Sequence, residues 1–504
     1  MNKAIIFVQE NTFMAFDEAV IRRNQGYEIF FVCCDNTSCI CNMNASGVKC
    51  KCILCTHMAH KFVAELCKKD GGYHAVNLSQ LVTSTIAQEA ASIHLQYNTV
   101  EELKNLIFHG VEIGYGAFST FVTKTRNITP EFTELERDYL DTMMRNEIKM
   151  TLALERYFDA INPDLLVFHN GRFNNFKPWL CLAQERGIEY IATETRTAPD
   201  GTMMKNNFHN DIPHSQSAYT KKAEIAWKNC GVEKGTEIGK RFFDNRRGAI
   251  EAGDKVYTKD QIKGKLPKDI DSNKRNIAIF NSSEDEYFSI SKEFDNAVLY
   301  PNQYIALKRL FEHYKNQKDI HFYLRIHPNL AVIPFKSHML LYELKYDNVT
   351  IIPPQSDISS YALMDVAEKV IVFNSTMGLE SSYWGKPVIA LNSCFYSGYD
   401  IVYEPKTEKE FFELVDEIHL PCKKKEQACY KLACMLMGYA AEPFQYYHNK
   451  IEQWHGKIYP MKKILGSPQL YQVVNLFINK ISFFYGNGKK YWPLMIENVN
   501  CKKK

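Results

Sequence analysis

Apolar positions in the first half of the chain come in short blocks. Ala4–Val8 (AIIFV), Glu28–Val32 (EIFFV), Tyr73–Leu78, Leu165–Phe168 (LLVF) and Glu189–Ala192 (EYIA) are too short for helices and read as strands covered on both faces. Between them apolar residues recur at helical spacing. Phe16–Asn24, Met58–Lys68, a long amphipathic stretch over Glu131–Ala160 that stops at Asn162-Pro163, and Lys177–Arg186, which stops at Gly187, are the expected helices. Strand and helix in alternation predict a doubly wound, mainly parallel sheet.

The pattern fades from Arg246 to Lys274, where the chain is charged and contains Gly and Pro, and a second alternating set follows. Asn276–Phe280 (NIAIF), His321–Leu324, Val349–Ile352 and Val370–Phe373 are its strands, with one more after Pro387. Gln303–Lys315 is a helix, and Asp357, Ser359 and Ser360 introduce another that reaches Ala367. The expected fold class is α/β, two doubly wound Rossmann-like domains with extra C-terminal helices. The expected divisions are 1–255 with a Cys-rich insertion at 33–55, a linker at 256–275, a second domain at 276–420, and a helical extension at 421–504 packing back toward the N-terminal domain.

The composition agrees with two cores. Of 504 residues, 45% are hydrophobic and 13% aromatic. Lys and Arg total 61 against 58 Asp and Glu, a net charge of +3, which argues against a nucleic-acid binder that works through a large positive field. No apolar run reaches about 18 residues, and Met1–Glu10 has a strand pattern instead of a charged leader, so a cytoplasmic location is expected. Basic and aromatic residues near the end (Lys423–Lys425, Phe444–Tyr447, and Lys489, Lys490, Tyr491 and Trp492) fit either a solvated face or peripheral contact with the inner face of the plasma membrane.

The 15 cysteines are read as reduced thiols in that compartment. Cys34, Cys41, Cys52 and Cys55 form a spaced set, and Cys52-x-x-Cys55 is a two-thiolate bite of the zinc-ribbon kind. A structural zinc and thiols without a ligand are the two readings.

Chemistry concentrates at Lys369–Leu391 (KVIVFNSTMGLESSYWGKPVIAL), read as strand, helix, strand. Asn374, Ser375 and Thr376 sit at the helix start, where unpaired N–H groups and the positive helix end suit a phosphate. Gly378 would allow the phosphate close to the backbone, and Glu380, one turn past Thr376, could accept both hydroxyls of a ribose. The same letters fit an ordinary capped helix with a surface acid. In His321–Leu330 (HFYLRIHPNL), Pro328 ends a strand so that Arg325 and His327, two apart, point beyond the sheet edge, where both can donate to phosphate oxygens. In the first half, His169, Asn170, Gly171 and Arg172 follow one strand, and Glu194, Thr195 and Arg196 follow the next. His169 and Glu194 are the general-base candidates there, with a hydrogen-bonded loop role as the alternative for each. The polar run from Thr197 to Ser217, which includes TAPDG, reads as a loop over that edge.

Two such domains with the phosphate features confined to the second follow the plan of the GT-B glycosyltransferases. Arg325-Ile326-His327-Pro328, Asp357 to Tyr361, and Asn374-Ser375-Thr376 through Pro387 resemble the capsule polysaccharide biosynthesis group, including Kdo-transferase-type enzymes, and more distantly the teichoic-acid polymerases. The resemblance is best over Asn276–Leu391. It implies two domains facing across a cleft, a donor phosphate held by His327 and the Ser375/Thr376 helix start, a ribose on Glu380, and Asn281 and Ser282 bordering the donor. Asn170, Arg172 and Arg196 would lie on the acceptor side, and the four cysteines match a spacing seen in some relatives.

The expected activity is transfer of a sugar from a nucleotide-sugar donor to a saccharide or lipid-linked acceptor, with Glu194 as base and His169 in reserve. The chain lacks the DxD motif of the GT-A class, so no cofactor or divalent metal is expected to be required for catalysis. A CDP-dependent polyol-phosphate transferase, a nucleotide-sugar epimerase and a non-catalytic nucleotide-binding assembly subunit are the alternatives.

Overall fold

The first apolar runs become the strands of one sheet: β1 (Lys3–Val8), β2 (Glu28–Cys33), β3 (Tyr73–Asn77), β4 (Leu165–His169) and β5 (Glu189–Thr193). The computed structural model describes residues 1–446 except 10–11, 36, 38–39, 46, 199, 252–255 and 332–335, together with 453–454, 457–458, 489–491 and 493–494. Contacts divide the chain into two compact units. The first holds Met1–Arg196, Met203–Pro213 and described residues from Glu442 onward; the second holds Thr197–Thr202 and His214–Ala441.

The first unit is a sheet in the order β3-β2-β1-β4-β5-β8, parallel except for the short edge strand β8 (Phe208–His209). The short ribbon of β6 (Thr195–Thr197) and β7 (Met203–Lys205) occupies part of the expected loop. The long helix runs Glu134–Ile161, opened by a capping box between Thr133 and Glu136 and closed where Asn162 turns left-handed at φ 51°. Before it lies the helix Ile113–Thr125, nearly all buried, for which the amphipathic pattern gave no signal because no polar face remains.

The Cys-rich stretch is only partly an insertion. From Lys49 it is helix, continuing to Lys69, so Cys52 and Cys55 lie on its first turns. The Gln9 amide donates to Cys41 Sγ at 3.3 Å and the Asn44 amide to Cys52 Sγ at 3.0 Å. Among the described residues no three His, Cys, Asp or Glu side chains gather where they could hold a metal ion, Cys34, Cys41, Cys52 and Cys55 included. Cys39, Tyr447 and Trp492 lie outside the described residues.

The second unit repeats the plan with β9 (Arg275–Phe280), β10 (Ile320–Arg325), β11 (Val349–Ile352), β12 (Lys369–Val372) and β13 (Val388–Ala390), all parallel in the order β11-β10-β9-β12-β13. β9 is the central strand, bonded to β10 and β12, so the loops after these three strands open at one edge. The doubly wound sheets expected of the GT-B plan are thus both present.

The boundary differs from the expected one. Helices Gln216–Cys230 and Val232–Arg247 belong to the second unit and pack on the helix Glu426–Leu436. The contact is close because the facing residues are small: a Cβ on Gly239 would fall 2.3 Å from the Tyr430 ring, and Ala223 and Ala226 are fully buried. Only from Glu442 does the chain return to the first unit, where Glu442 exchanges backbone hydrogen bonds with Lys205. Asp17 then accepts the N–H groups of Gln445 and Tyr446.

The basic residues near the end are engaged within the fold. Lys423 and Lys425 pair with Asp400, Lys424 with Glu426, and Lys490 with Asp138, while Tyr491 is buried beside Tyr139. Among the described residues no helix is long and apolar enough to cross a membrane.

Lys205, fully buried, lies 2.7 Å from Asp17 and 2.8 Å from Glu18. Its charge compensates two buried carboxylates, so Lys205→Met is expected to cost about 3–5 kcal/mol in urea unfolding. A loss under about 1 kcal/mol would show that the carboxylates are satisfied without it.

Candidate functional site

At the open edge of the second sheet lies a pocket of about 500 Å³ that is partly open to solvent. It is built from the ends of β9, β10 and β12 and from segments the sequence pattern left as linker.

β9 ends at Phe280, and Asn281 follows, 1% exposed, lining the pocket. Its Oδ1 accepts the backbone N–H of His327 at 2.7 Å, which ties the loop after β10 to the loop after β9. Its Nδ2, buried, has no partner. An orphaned buried amide costs about 1–3 kcal/mol and suits a ligand that supplies an acceptor.

His327 lines the same pocket, edge-on to Tyr257 with ring centroids 4.9 Å apart. Its Nδ1 accepts the N–H of Asn329 at 3.2 Å, so the neutral ring carries its proton on Nε2 as a hydrogen-bond donor.

Arg325 lines the pocket too, but its guanidinium is committed elsewhere. Nη1 donates to the Pro353 carbonyl at 2.6 Å and Nη2 to the Ser356 carbonyl at 2.9 Å. Burial pulls its pKa down to about 10. The expected phosphate-binding fork thus has both Nη atoms taken by carbonyls of the loop after β11, while its buried Nε has no partner.

After β12, Ser375 caps the helix Thr376–Tyr383, its Oγ accepting the Met377 N–H at 3.3 Å. Ser375, Thr376 and Glu380 line the pocket; Asn374 does not. Glu380 is 2% exposed, with Oε1 held by Arg246 Nη2 at 3.2 Å and Oε2 by the Tyr361 hydroxyl. Burial, and then the Glu380 charge, push Tyr361 well above the usual phenol range, so its hydroxyl stays a donor. The alternative of an ordinary surface acid does not hold: Glu380 is an interior carboxylate lining the pocket.

Two expected donor residues are corrected. Gly378 is not a phosphate seat: a Cβ there would lie 2.0 Å from the Tyr396 hydroxyl, which donates to the Ser375 carbonyl at 2.7 Å. Its smallness lets Tyr396 brace the helix start from behind. Ser282 turns away from the pocket toward Gln303 and Tyr287.

The sequence reading missed Arg246, Tyr257, Thr258, Gln261 and Tyr361. Gln261 accepts the Ser360 N–H at 2.7 Å, and Ile262 donates to the Asp357 carbonyl at 2.8 Å, so the supposed linker is stitched along one wall. Its many charged and Gly residues hid this. A basic residue closing a Phe-containing helix was the available signal for Arg246.

Close by in the chain, Glu284 accepts the Gln303 N–H at 2.7 Å, and His338 Nε2 lies 3.8 Å from its carboxylate. Burial pushes Glu284 up to about 7 and His338 down to about 3.

In the first unit the structure brings His169, Asn170 and Glu194 together. Asn170 and Gly171, both left-handed at φ 59° and 97°, turn the chain sharply after β4, and the Asn170 amide donates to Glu194 Oε1. His169 Nε2 is 3.8 Å from that oxygen, and its buried Nδ1 has no partner. Arg196 lies on β6. Arg172 is turned inward instead, donating to Thr123 and lying over the Phe173 ring at 4.6 Å.

Residues 300–413 match the family model for the capsule polysaccharide biosynthesis protein. The matched segment carries Arg325, His327, Ser375, Thr376 and Glu380, and so most of the pocket edge. The chain matches none of the curated protein sequences. Among solved structures it is similar to KpsC of Thermosulfurimonas dismutans, a beta Kdo 2,4 transferase (14% identity over 54% of this chain and 79% of that one, TM-score 0.34). It is also similar to the UDP-GlcNAc 2-epimerase of Neisseria meningitidis bound to UDP-GlcNAc (11%, 95% and 100%, TM-score 0.25).

Two expectations follow for the second unit. A Gly to Ala change in a helix stabilises by about 1 kcal/mol through propensity, but overpacking costs about 1–3 kcal/mol. Because Tyr396 is fully buried and tied by its hydroxyl, the second effect should win, and Gly378→Ala should lower the urea midpoint. The raised pKa of Glu284 means that the unfolded carboxyl ionises above about 4.5 while the folded one holds its proton to about 7. The unfolded state binds fewer protons in that window, so stability falls as pH rises through it. Glu284→Gln should flatten this slope in unfolding curves taken across the window, and an unchanged slope would assign it to other groups.

Proposed function

We propose that the protein is a glycosyltransferase that moves a sugar from a nucleotide-activated donor to a surface polysaccharide or glycolipid acceptor of the capsule type. The observation that carries this reading is the pocket at the edge of the second sheet, lined by His327, by Glu380 and by Asn281, whose buried Nδ2 has no partner. The Asn281 Nδ2 and the His327 Nε2–H suit phosphate oxygens, and the helix start at Thr376 adds partial positive charge. Glu380 offers the acceptor that ribose hydroxyls need. The capsule-synthesis match over 300–413 supports the same assignment.

In the reaction, the acceptor hydroxyl oxygen bonds to the anomeric carbon as the bond from that carbon to the phosphate oxygen breaks. The nucleotide departs with the bonding electron pair, and the hydroxyl proton passes to a base. Glu194 is the base of this proposal, oriented by Asn170 and bordered by His169. Charge growing on the departing phosphate is met by His327 and the helix end. No divalent metal takes part in this scheme. Glu380 is the only acidic side chain among the described lining residues, and Arg246 and Tyr361 already engage it, so no pair of carboxylates faces the pocket among the described residues.

Thermal-shift titration with CMP, CDP, UDP, GDP and ADP, each with and without EDTA, tests the donor site. A nucleotide at about 100 times its Kd adds about 2.7 kcal/mol of stability. One nucleotide should stabilise the protein equally with and without EDTA, and Glu380→Ala should abolish the effect. His327→Ala should leave the fold intact and lower sugar transfer at least about 100-fold, the loss expected for a donor to the departing charge. Stabilisation by none of the nucleotides, or near-normal transfer by His327→Ala, would overturn the assignment.

A further inference from the structure

The Nη atoms of Arg325 are tied to the Pro353 and Ser356 carbonyls, so its charge is shared with the backbone of the loop after β11. The pocket has one other guanidinium among its described lining residues, Arg246, in the last turn of the helix Val232–Arg247. Its Nη2 donates to Thr376 Oγ1 at 3.1 Å and to Glu380 Oε1 at 3.2 Å, with Nε 3.4 Å from the same oxygen. Thr376 opens the helix and lines the pocket together with the unpartnered Asn281 amide.

We infer that Arg246 is the phosphate-selecting residue of this pocket, the cation that makes a site containing a buried carboxylate accept an anionic ligand. The inference rests on reading the pocket as a nucleotide site. Glu380 alone, at 2% exposure, would repel a phosphate through a medium that screens poorly. Arg246 cancels that charge and, within one hydrogen bond of the Thr376 hydroxyl, stands where an oxygen on the helix end would be met. A guanidinium has five N–H groups in one plane, so it can bind a phosphate oxygen while it still bonds a carboxylate. A ribose hydroxyl can share Glu380 with it, because each carboxylate oxygen accepts more than one hydrogen bond.

Isothermal titration with uridine, UMP and UDP, and with cytidine, CMP and CDP, separates this role from a merely structural one. In the wild type the better-bound series should tighten with each phosphate. Arg246→Gln should weaken the diphosphate by about 10- to 100-fold, the loss of a charge-assisted hydrogen bond, and the nucleoside by less than about threefold. Arg246→Lys should restore part of the gain from phosphate. If Arg246→Gln fails to fold because Glu380 is left alone, Arg246→Gln with Glu380→Gln carries the test, and the diphosphate-to-nucleoside ratio must again fall. An unchanged ratio in the folded variant overturns the role of Arg246 and leaves the nucleotide site standing. If the wild type binds none of the six compounds, the nucleotide reading fails and takes this inference with it.

Discussion

The second unit is arranged around a carboxylate that is almost wholly buried. Glu380 is 2% exposed, and a buried carboxylate left unpaired is among the costliest features a fold can carry. Its two oxygens are met from different directions, one by Arg246 at the end of the helix Val232–Arg247 and the other by Tyr361 near the start of the helix Ser360–Val366. That requirement draws the helical layer and the helix that precedes β12 to the same point on the sheet edge. The pocket is the space these elements cannot fill.

The strands were legible because burial on both faces leaves a plain apolar signature. All ten parallel strands of the two sheets coincide with the expected runs, and helix ends such as Asn162 and Gly187 were legible from their left-handed caps. The chemistry at strand ends was legible for a related reason: Asn281, His327 and Ser375 follow strands that can be located without knowing how they pair. What escaped was the packing on small residues. Gly235, Gly239, Ala223 and Ala226 let the helices from Gln216 to Arg247 lie against Glu426–Leu436, and no apolar count reports such a face. The same blind spot placed the linker over residues that form a pocket wall.

Roles were harder to read than places. Arg325 and Gly378 stand where the sequence put them, but a side chain's function depends on what else competes for it. The carbonyls of Pro353 and Ser356 claim the Arg325 fork, and the Tyr396 hydroxyl claims the room above Gly378. Both partners lie on loops whose course only the fold reveals. The misreadings share one cause: an interior group was taken to face the ligand because its neighbours in sequence do.

The two arginines then divide work that sequence logic assigned to one. Arg325 spends its charge on backbone oxygens, which rigidifies the loop after β11 and keeps the wall of the pocket in shape, and burial correspondingly lowers its pKa to about 10. Arg246 faces a carboxylate and a hydroxyl whose positions are set by the helix Thr376–Tyr383. A carbonyl offers only partial charge, whereas the Glu380 carboxylate offers a full one. The Arg246 fork stands between Thr376 and Glu380 at the helix start, whereas both Nη atoms of Arg325 are directed to the carbonyls of Pro353 and Ser356. The electrostatics of the pocket thus follow from which arginine the backbone has already used.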